Sequence, residues 1–182
     1  MQILISLHCI CFRSGFYGAL KIVKSASNYT EAALDETKLL LRVSQAPGGS
    51  EGRHCVVEMF DHFEVNGPHG RHVCMVFEVL GPNLLRLIKD YKYEGLPVPV
   101  VRRISRQILL GLDRLHRECG IIHTDIKPEN VLIGLTAAEI TELVQGPNSD
   151  GAVETQIRLS TAEDSHEASS AFVIRFLLVS KT

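Results

Sequence analysis

Residues Ile121 to Leu132 read Ile-Ile-His-Thr-Asp-Ile-Lys-Pro-Glu-Asn-Val-Leu, and no other run constrains the chain as strongly. It sets an Asp, a Lys and an Asn at the offsets a phosphoryl-transfer loop needs. Such a loop uses a carboxylate to accept a hydroxyl proton, a cation near the transferring group, and an amide oxygen to hold a metal. Asp125, Lys127 and Asn130 fill those roles in order. The plainer reading of Asp-x-Lys-Pro-Glu-Asn is a polar turn between two apolar runs. His123 ahead of the Asp, and the buried-type Val131-Leu132-Ile133 after it, favour the chemical reading.

A loop of this kind resembles the catalytic loop of protein kinases, and the resemblance narrows at Thr124, where most members carry an Arg that grips the activation-loop phosphate. Further segments carry it: Ala19-Leu20-Lys21-Ile22-Val23-Lys24-Ser25, Tyr29-Thr30-Glu31, Leu34-Asp35-Glu36 and Met75-Val76-Phe77-Glu78-Val79-Leu80-Gly81. Together they resemble the SR-protein kinases, serine/threonine kinases of Arg/Ser-rich splicing factors, from about Ala19 to Ile133. A loop without the Arg has no cation that needs a phosphate partner, so independence from activation-loop phosphorylation is expected. The resemblance implies an α+β, protein-kinase-like fold: a partial N-lobe sheet plus helix, then the first helices and catalytic loop of the C-lobe. It also implies ATP and Mg2+ as cofactors, Arg/Ser-rich splicing-factor proteins as partners, and a cytoplasmic and nuclear location.

Carried over residue by residue, Lys21 pairs with the α and β phosphates and is held by Glu36, because an ammonium on a flexible stem needs a fixed carboxylate to position it. The Glu78 carbonyl and Leu80 amide present an edge to adenine, Phe77 closes the back of the pocket, and Ala19 and Leu132 sandwich the ring. Asp125 and Lys127 are the expected catalytic residues and Asn130 the metal ligand. Lys127, two positions after the Asp, is similar to the serine/threonine rather than the tyrosine kinases. His123 is expected to pack and order the loop, and Glu129 to organise it. The bland alternatives are one surface Lys among 19 basic residues and an ordinary strand end at Phe77 to Gly81.

A complete member of the family carries a Gly-rich loop before the Lys strand and an Asp-Phe-Gly or Asp-Leu-Gly after the catalytic loop, and this sequence has neither. Gly15 and Gly18 lack the G-x-G-x-x-G spacing, and two strands with their loop hardly fit ahead of Ala19. After Asn130 the aspartates are Asp150 and Asp164, neither followed by a hydrophobic residue; Asp150-Gly151 reads as a turn. The magnesium site is therefore expected to be incomplete, and each lost electrostatic contact of this sort raises a barrier by roughly 2.7–4 kcal/mol. The expected division is 1–15 as non-homologous N-terminus, 16–134 as partial kinase domain, and 135–182 as variable or non-homologous acidic tail. The chain is expected to be inactive as it stands; the alternatives are a pseudokinase or nucleotide-binding interaction module, or a non-functional fragment that exposes apolar surface.

At 182 residues with 45% hydrophobic content the chain suffices for one ordinary core. A net charge of -2 gives no case for direct nucleic-acid binding. Charge is uneven: between Leu135 and Glu167 lie seven acids (Glu139, Glu142, Asp150, Glu154, Glu163, Asp164, Glu167) against the single base Arg158. They match no family docking motif and read as a solvated face. Five cysteines, Cys9, Cys11, Cys55, Cys74 and Cys119, form no C-x-x-C pair, which argues against a disulfide framework or zinc site and for a reducing compartment. His69 and His72 read as turn and strand-start residues rather than metal ligands. Ile3 to Phe12 is apolar but has no basic residue before it and no small-residue cleavage site, and it is too short to span a membrane.

The pattern predicts a strand over Tyr17 to Val23 with Ala19 and Lys21 on one side. A helix is expected from about Asn28, capped by Asn28 and Glu31, with Leu34 and Leu41 buried. A Gly-rich loop over Gln45 to Arg53 precedes strands Val56 to Val65 and His72 to Leu80, joined by a longer hairpin connection at Asn66 to Gly70. Gly81 and Pro82 should break the pattern. Helices are expected over Leu84 to Tyr91 and Pro99 to Cys119, the latter with Val101, Ile104, Ile108, Leu112, Leu115 and Cys119 on one stripe and Gly120 at its end. Thr136 to Gln145 reads as a short helix with a Thr136–Glu139 capping box. Ala171 to Val179 is β-prone, and composition favours unrelated sequence over an interaction strand.

Overall fold

The computed structural model describes residues 8–11, 17–47, 49–145 and 173–176. The first sheet has strand order β1-β2-β4-β3, all neighbours antiparallel, from β1 (His8–Cys11), β2 (Tyr17–Ile22), β3 (Met59–Gly67) and β4 (Gly70–Phe77). On β2, Ala19 lies opposite Phe77 and Lys21 opposite Met75, so the two share a side as alternation requires. The β3–β4 connection is tighter than the sequence suggests. Gly67 and Gly70 are themselves paired, leaving only Pro68 and His69 in the turn, and Gly70 takes φ 117°, which favours glycine.

Helix α1 (Ser27–Gln45) starts earlier than expected, and Asn28 lies inside its first turn rather than capping it; Ala26 is the N-cap and makes no side-chain cap. Its inward face is Ala33, Glu36, Thr37, Leu40 and Val43. Leu34 and Leu41, expected in the core, flank that stripe half-buried, because the helix is rotated to aim Glu36 at the sheet. After Gln45 the expected loop contains a 3-10 turn at Glu51–Cys55. This turn sits hard against the long helix behind it: a Cβ on Gly52 would fall 2.2 Å from the Leu110 carbonyl oxygen.

The second sheet runs β5 (Leu80–Asn83), β6 (Val131–Gly134), β7 (Ile174–Phe176), antiparallel throughout. Gly81 and Pro82 thus lie in a short strand rather than ending one. Proline is tolerated there because β5 is an edge and its register shifts between Leu80 and Asn83. Two helices intervene, α2 (Leu84–Asp90), capped by the Asn83 side chain accepting from the Arg86 amide at 3.0 Å, and α3 (Val98–Asp113). The single helix expected to Cys119 gives way at Arg114–Glu118 to a π-helical turn, which Gly120 ends at φ 62°. A final helix, α4 (Ala137–Gln145), carries the capping box as predicted: the Thr136 amide donates to Glu139 Oε2 at 2.7 Å, and the Glu139 amide to Thr136 Oγ1 at 3.3 Å.

One core joins both sheets. Ile104, Leu115 and Cys119 are buried and Ile108 and Leu112 packed against them, so most of the stripe on α3 is covered, while Val101 remains 43% exposed. Among the described residues the cover is the 3-10 turn and β7, whose Ile174 and Phe176 are fully buried. Among the described residues no helix is long and apolar enough to cross a membrane.

Candidate active site

Lys21 and Glu36 meet as their spacing predicts. Nζ lies 2.7 Å from both carboxylate oxygens, with 11% and 8% of the side chains exposed. A near-dry ion pair of this kind is a rigid object: each partner satisfies the charge the other would leave buried.

Asp125, Lys127 and Asn130 form the second cluster. Lys127 Nζ lies 2.9 Å from Asp125 Oδ2, and Asn130 Nδ2 donates to the same oxygen at 3.1 Å and to the Asp125 carbonyl at 2.9 Å. The hydrogen bond to Asp125 holds the Lys127 ammonium above its ordinary pKa of 10.5, against slight desolvation. Proline opens the 3-10 turn Pro128–Asn130 that swings the buried Asn130 back under Asp125.

His123 is a structural residue, as read from the sequence. It is buried, its Nδ1 accepts from the Asp125 amide at 3.2 Å, and its ring stands edge-on to Phe176, centroids 5.5 Å apart at 71°. Thr124 between them takes φ 61°, a conformation that a β-branched residue adopts only when its surroundings impose it. Nothing in the local sequence signals that strain.

Of the residues expected around adenine, Ala19 and Phe77 are paired across β2 and β4 and buried. Leu80 lies opposite Gly134, and Leu132 opposite Asn83, on adjoining strands β5 and β6. The Glu78 carboxylate is turned elsewhere: Oε1 accepts the Glu58 amide at 2.9 Å, and Oε2 lies 2.8 Å from Arg175 Nε. Burial pushes its carboxyl above the usual 4.5, with Arg175 pulling the other way.

Residues 7–142 match the protein kinase domain family. The chain belongs to the protein kinase family. It is 59% identical over 115 residues to the serine/threonine-protein kinase SRPK of Physarum polycephalum, covering 63% of this chain and 26% of that one. Against SKY1 of Saccharomyces cerevisiae the identity is 54% over 131 residues (70% and 18%), and against SRSF protein kinase 3 of Mus musculus 50% over 147 residues (75% and 26%). The chain thus spans about a quarter or less of the length of these relatives.

Kinases use ATP with Mg2+, and the residues present fit the nucleotide better than the metal. Lys21 presents an ammonium fixed by Glu36, a cation of the kind phosphate oxygens accept. Asn130 commits its Nδ2 to Asp125, which leaves Oδ1 as the atom a cation would take. Among the described residues no group of three or more His, Cys, Asp or Glu converges on a metal position. Asp150 and Asp164, weighed in the sequence as second ligands, lie outside the described residues, as does most of the acidic segment. The His69–His72 pair is engaged otherwise: His72 Nδ1 sits 2.8 Å from the Val23 carbonyl, and the His69 carbonyl accepts from Ser25.

Sequence reasoning missed two arginines. Arg114, 2% exposed, donates to Glu118 Oε2 at 2.6 Å and to the Val43 carbonyl at 3.2 Å, tying the end of α1 to the helix that leads into the catalytic loop. Arg175 reaches Glu78 and donates to the His54 carbonyl. Neither lies in a recognisable motif; a lone Arg in an amphipathic run reads as surface.

Proposed function

We propose that this chain carries the phosphate-pairing lysine and proton-accepting loop of a serine/threonine protein kinase directed at Ser in Arg/Ser-rich proteins of cytoplasm and nucleus, and that residues 1–182 alone do not turn over. The convergence of Lys127 and Asn130 on one carboxylate oxygen of Asp125 carries the reading. ATP, when bound, supplies the transferable phosphoryl group, and magnesium neutralises its charge. Lys21, fixed by Glu36, binds the non-transferred phosphates. Asp125 takes the proton of the seryl hydroxyl as that oxygen attacks, Lys127 offers positive charge beside it, and Asn130 presents Oδ1 to the cation. The substrate class rests on identities of 50–59% to relatives named as SRPK and SRSF protein kinases.

The proposed lack of turnover rests on the sequence from Met1 to Thr182, which contains no G-x-G-x-x-G and no Asp-Phe-Gly. The intact Lys21–Glu36 pair favours nucleotide binding without transfer as the second reading. Radiolabel transfer from ATP to an Arg/Ser-repeat peptide, run beside binding of a fluorescent ATP analogue, tests both. The expected result is no transfer, with weak binding that depends little on magnesium and is abolished in Lys21→Met. Transfer that vanishes in Asp125→Asn overturns the claim of inactivity.

A further inference from the structure

Two buried polar atoms among the described residues have neither a hydrogen bond nor an ion-pair partner, Ser50 Oγ and Arg114 Nε, while a third, Arg175 Nε, is spoken for by Glu78 Oε2 at 2.8 Å. All three residues line one cavity of about 310 Å³ behind α1, bounded also by Leu40, Val43, Val56, Val57 and Met59. The coincidence is informative because an unpaired buried donor costs about 1–3 kcal/mol, so two around one space mark it as built for an acceptor. We propose that this cavity is a binding site for a small organic anion, its carboxylate or phosphate head taken by the arginines and Ser50 and its apolar body laid on the α1 wall.

The charges support an anion over a neutral acceptor. Arg114 is almost wholly buried and uses its terminal nitrogens on Glu118 and two α1-end carbonyls, Val43 and Ala46, leaving Nε unengaged. Arg175 is already ion-paired, its Nε 2.8 Å from Glu78 Oε2, and brings its guanidinium to the cavity wall in that pair. Arg53 and His54, both exposed, also line the cavity, and Glu58 is the one carboxylate in the lining. Guanidinium groups prefer planar or tetrahedral oxyanions to neutral acceptors. The volume is at the small end of ligand pockets, roughly 300–1,000 Å³. Leu40 lies a turn beyond Glu36 on the same helix, so an occupant would brace the element that positions Lys21.

The purified chain is titrated separately with benzoate and with inorganic phosphate, read by melting temperature and by amide nitrogen-15 shifts. The expected result is saturable binding of at least one probe, a raised melting temperature, and shifts centred on Ser50, Val57 and Arg114. Benzoate alone assigns a carboxylate head, phosphate alone a phosphate head, and both the shared oxyanion. Affinity should fall tenfold or more in Arg175→Met and several-fold in Ser50→Ala, a smaller change that keeps the test open if the first variant does not fold. Neither probe saturating, shifts centred on Lys21 or Asp125 instead, or Ser50→Ala binding as tightly as the unaltered chain would overturn the site.

Discussion

Arg175 sets its Nε 2.8 Å from Oε2 of Glu78, tying β7 to the segment that links the two sheets. The same carboxylate accepts the Glu58 amide, so it sits at a three-way junction of β7, the start of β3 and the run after β4. Burial outweighs both contacts and lifts the Glu78 carboxyl above 4.5.

A raised acid contributes stability that is full below its unfolded value and is lost as pH rises through the folded one. Glu78 therefore opposes folding increasingly above pH 4.5. In Arg175→Met the pull of the guanidinium is gone, so the midpoint should move higher still. Carbon-13 titration of the Glu78 carboxyl should show a midpoint above 4.5 in the unaltered chain and a higher one in the variant. An unchanged midpoint would deny that Arg175 faces the group.

Phe176 tests whether β7 belongs to the core. Its ring is fully buried, stands against His123, and lies 2.5 Å from where a Cβ on Gly111 would sit. Phe176→Ala should cost about 3–5 kcal/mol in denaturant unfolding, a large part of the stability of a small domain. Gly111→Ala should also destabilise, by forcing the ring aside. A loss under about 1 kcal/mol for Phe176→Ala would show that the strand does not pack there.

The contrast between these residues and the catalytic loop shows what was legible. Lys21, Glu36, Asp125, Lys127 and Asn130 were readable because their chemistry fixes residue type and spacing together, and the helix and strand between them follow from periodicity. The register of α1 was not, since its rotation is set by where Glu36 must point, a tertiary fact. Gly81-Pro82 in a strand and the π turn at Arg114 were hidden for a related reason: each exists because a neighbouring element pairs or packs with it. Across Ala171 to Val179 composition favoured unrelated sequence, and it gave no sign that Ile174 and Phe176 of that stretch would be buried in the core.

Burial raises the thiols of Cys55, Cys74 and Cys119 above their ordinary 9.0. Thiolate is the reactive form, so all three should resist iodoacetamide at pH 7 in the native chain and react once denaturant is added. Raised values contribute stability below pH 9.0 that is lost as pH climbs through the folded ones, so unfolding should become easier in alkali. Rapid native labelling, read by peptide mass, would contradict their burial.

Thr124 stores strain in the loop between His123 and Asn130 at φ 61°. Asn tolerates this conformation, and the penalty for other side chains is roughly 1–2 kcal/mol, so Thr124→Asn should raise stability by about 1 kcal/mol. Thermal unfolding decides it. A destabilised variant would mean that the hydroxyl or methyl group makes a contact worth more than the strain it imposes.

The Lys21–Glu36 pair permits a sharper test, because removing one partner and removing both have opposite expectations. Lys21→Met leaves Glu36, 8% exposed, without its cation, and breaking such a pair costs about 3–5 kcal/mol. Glu36→Leu should cost a similar amount by stranding the ammonium. In the double variant no charge remains buried, and two apolar side chains fill the same space. Most of the loss should then return, giving a coupling of about 2 kcal/mol or more in a double-mutant cycle. Nucleotide binding should be absent in all three variants, which separates the pair's chemical role from its structural one. Additive single losses with no recovery would place the two side chains apart in solution, and the reading of α1 as the helix that positions Lys21 would fall with them.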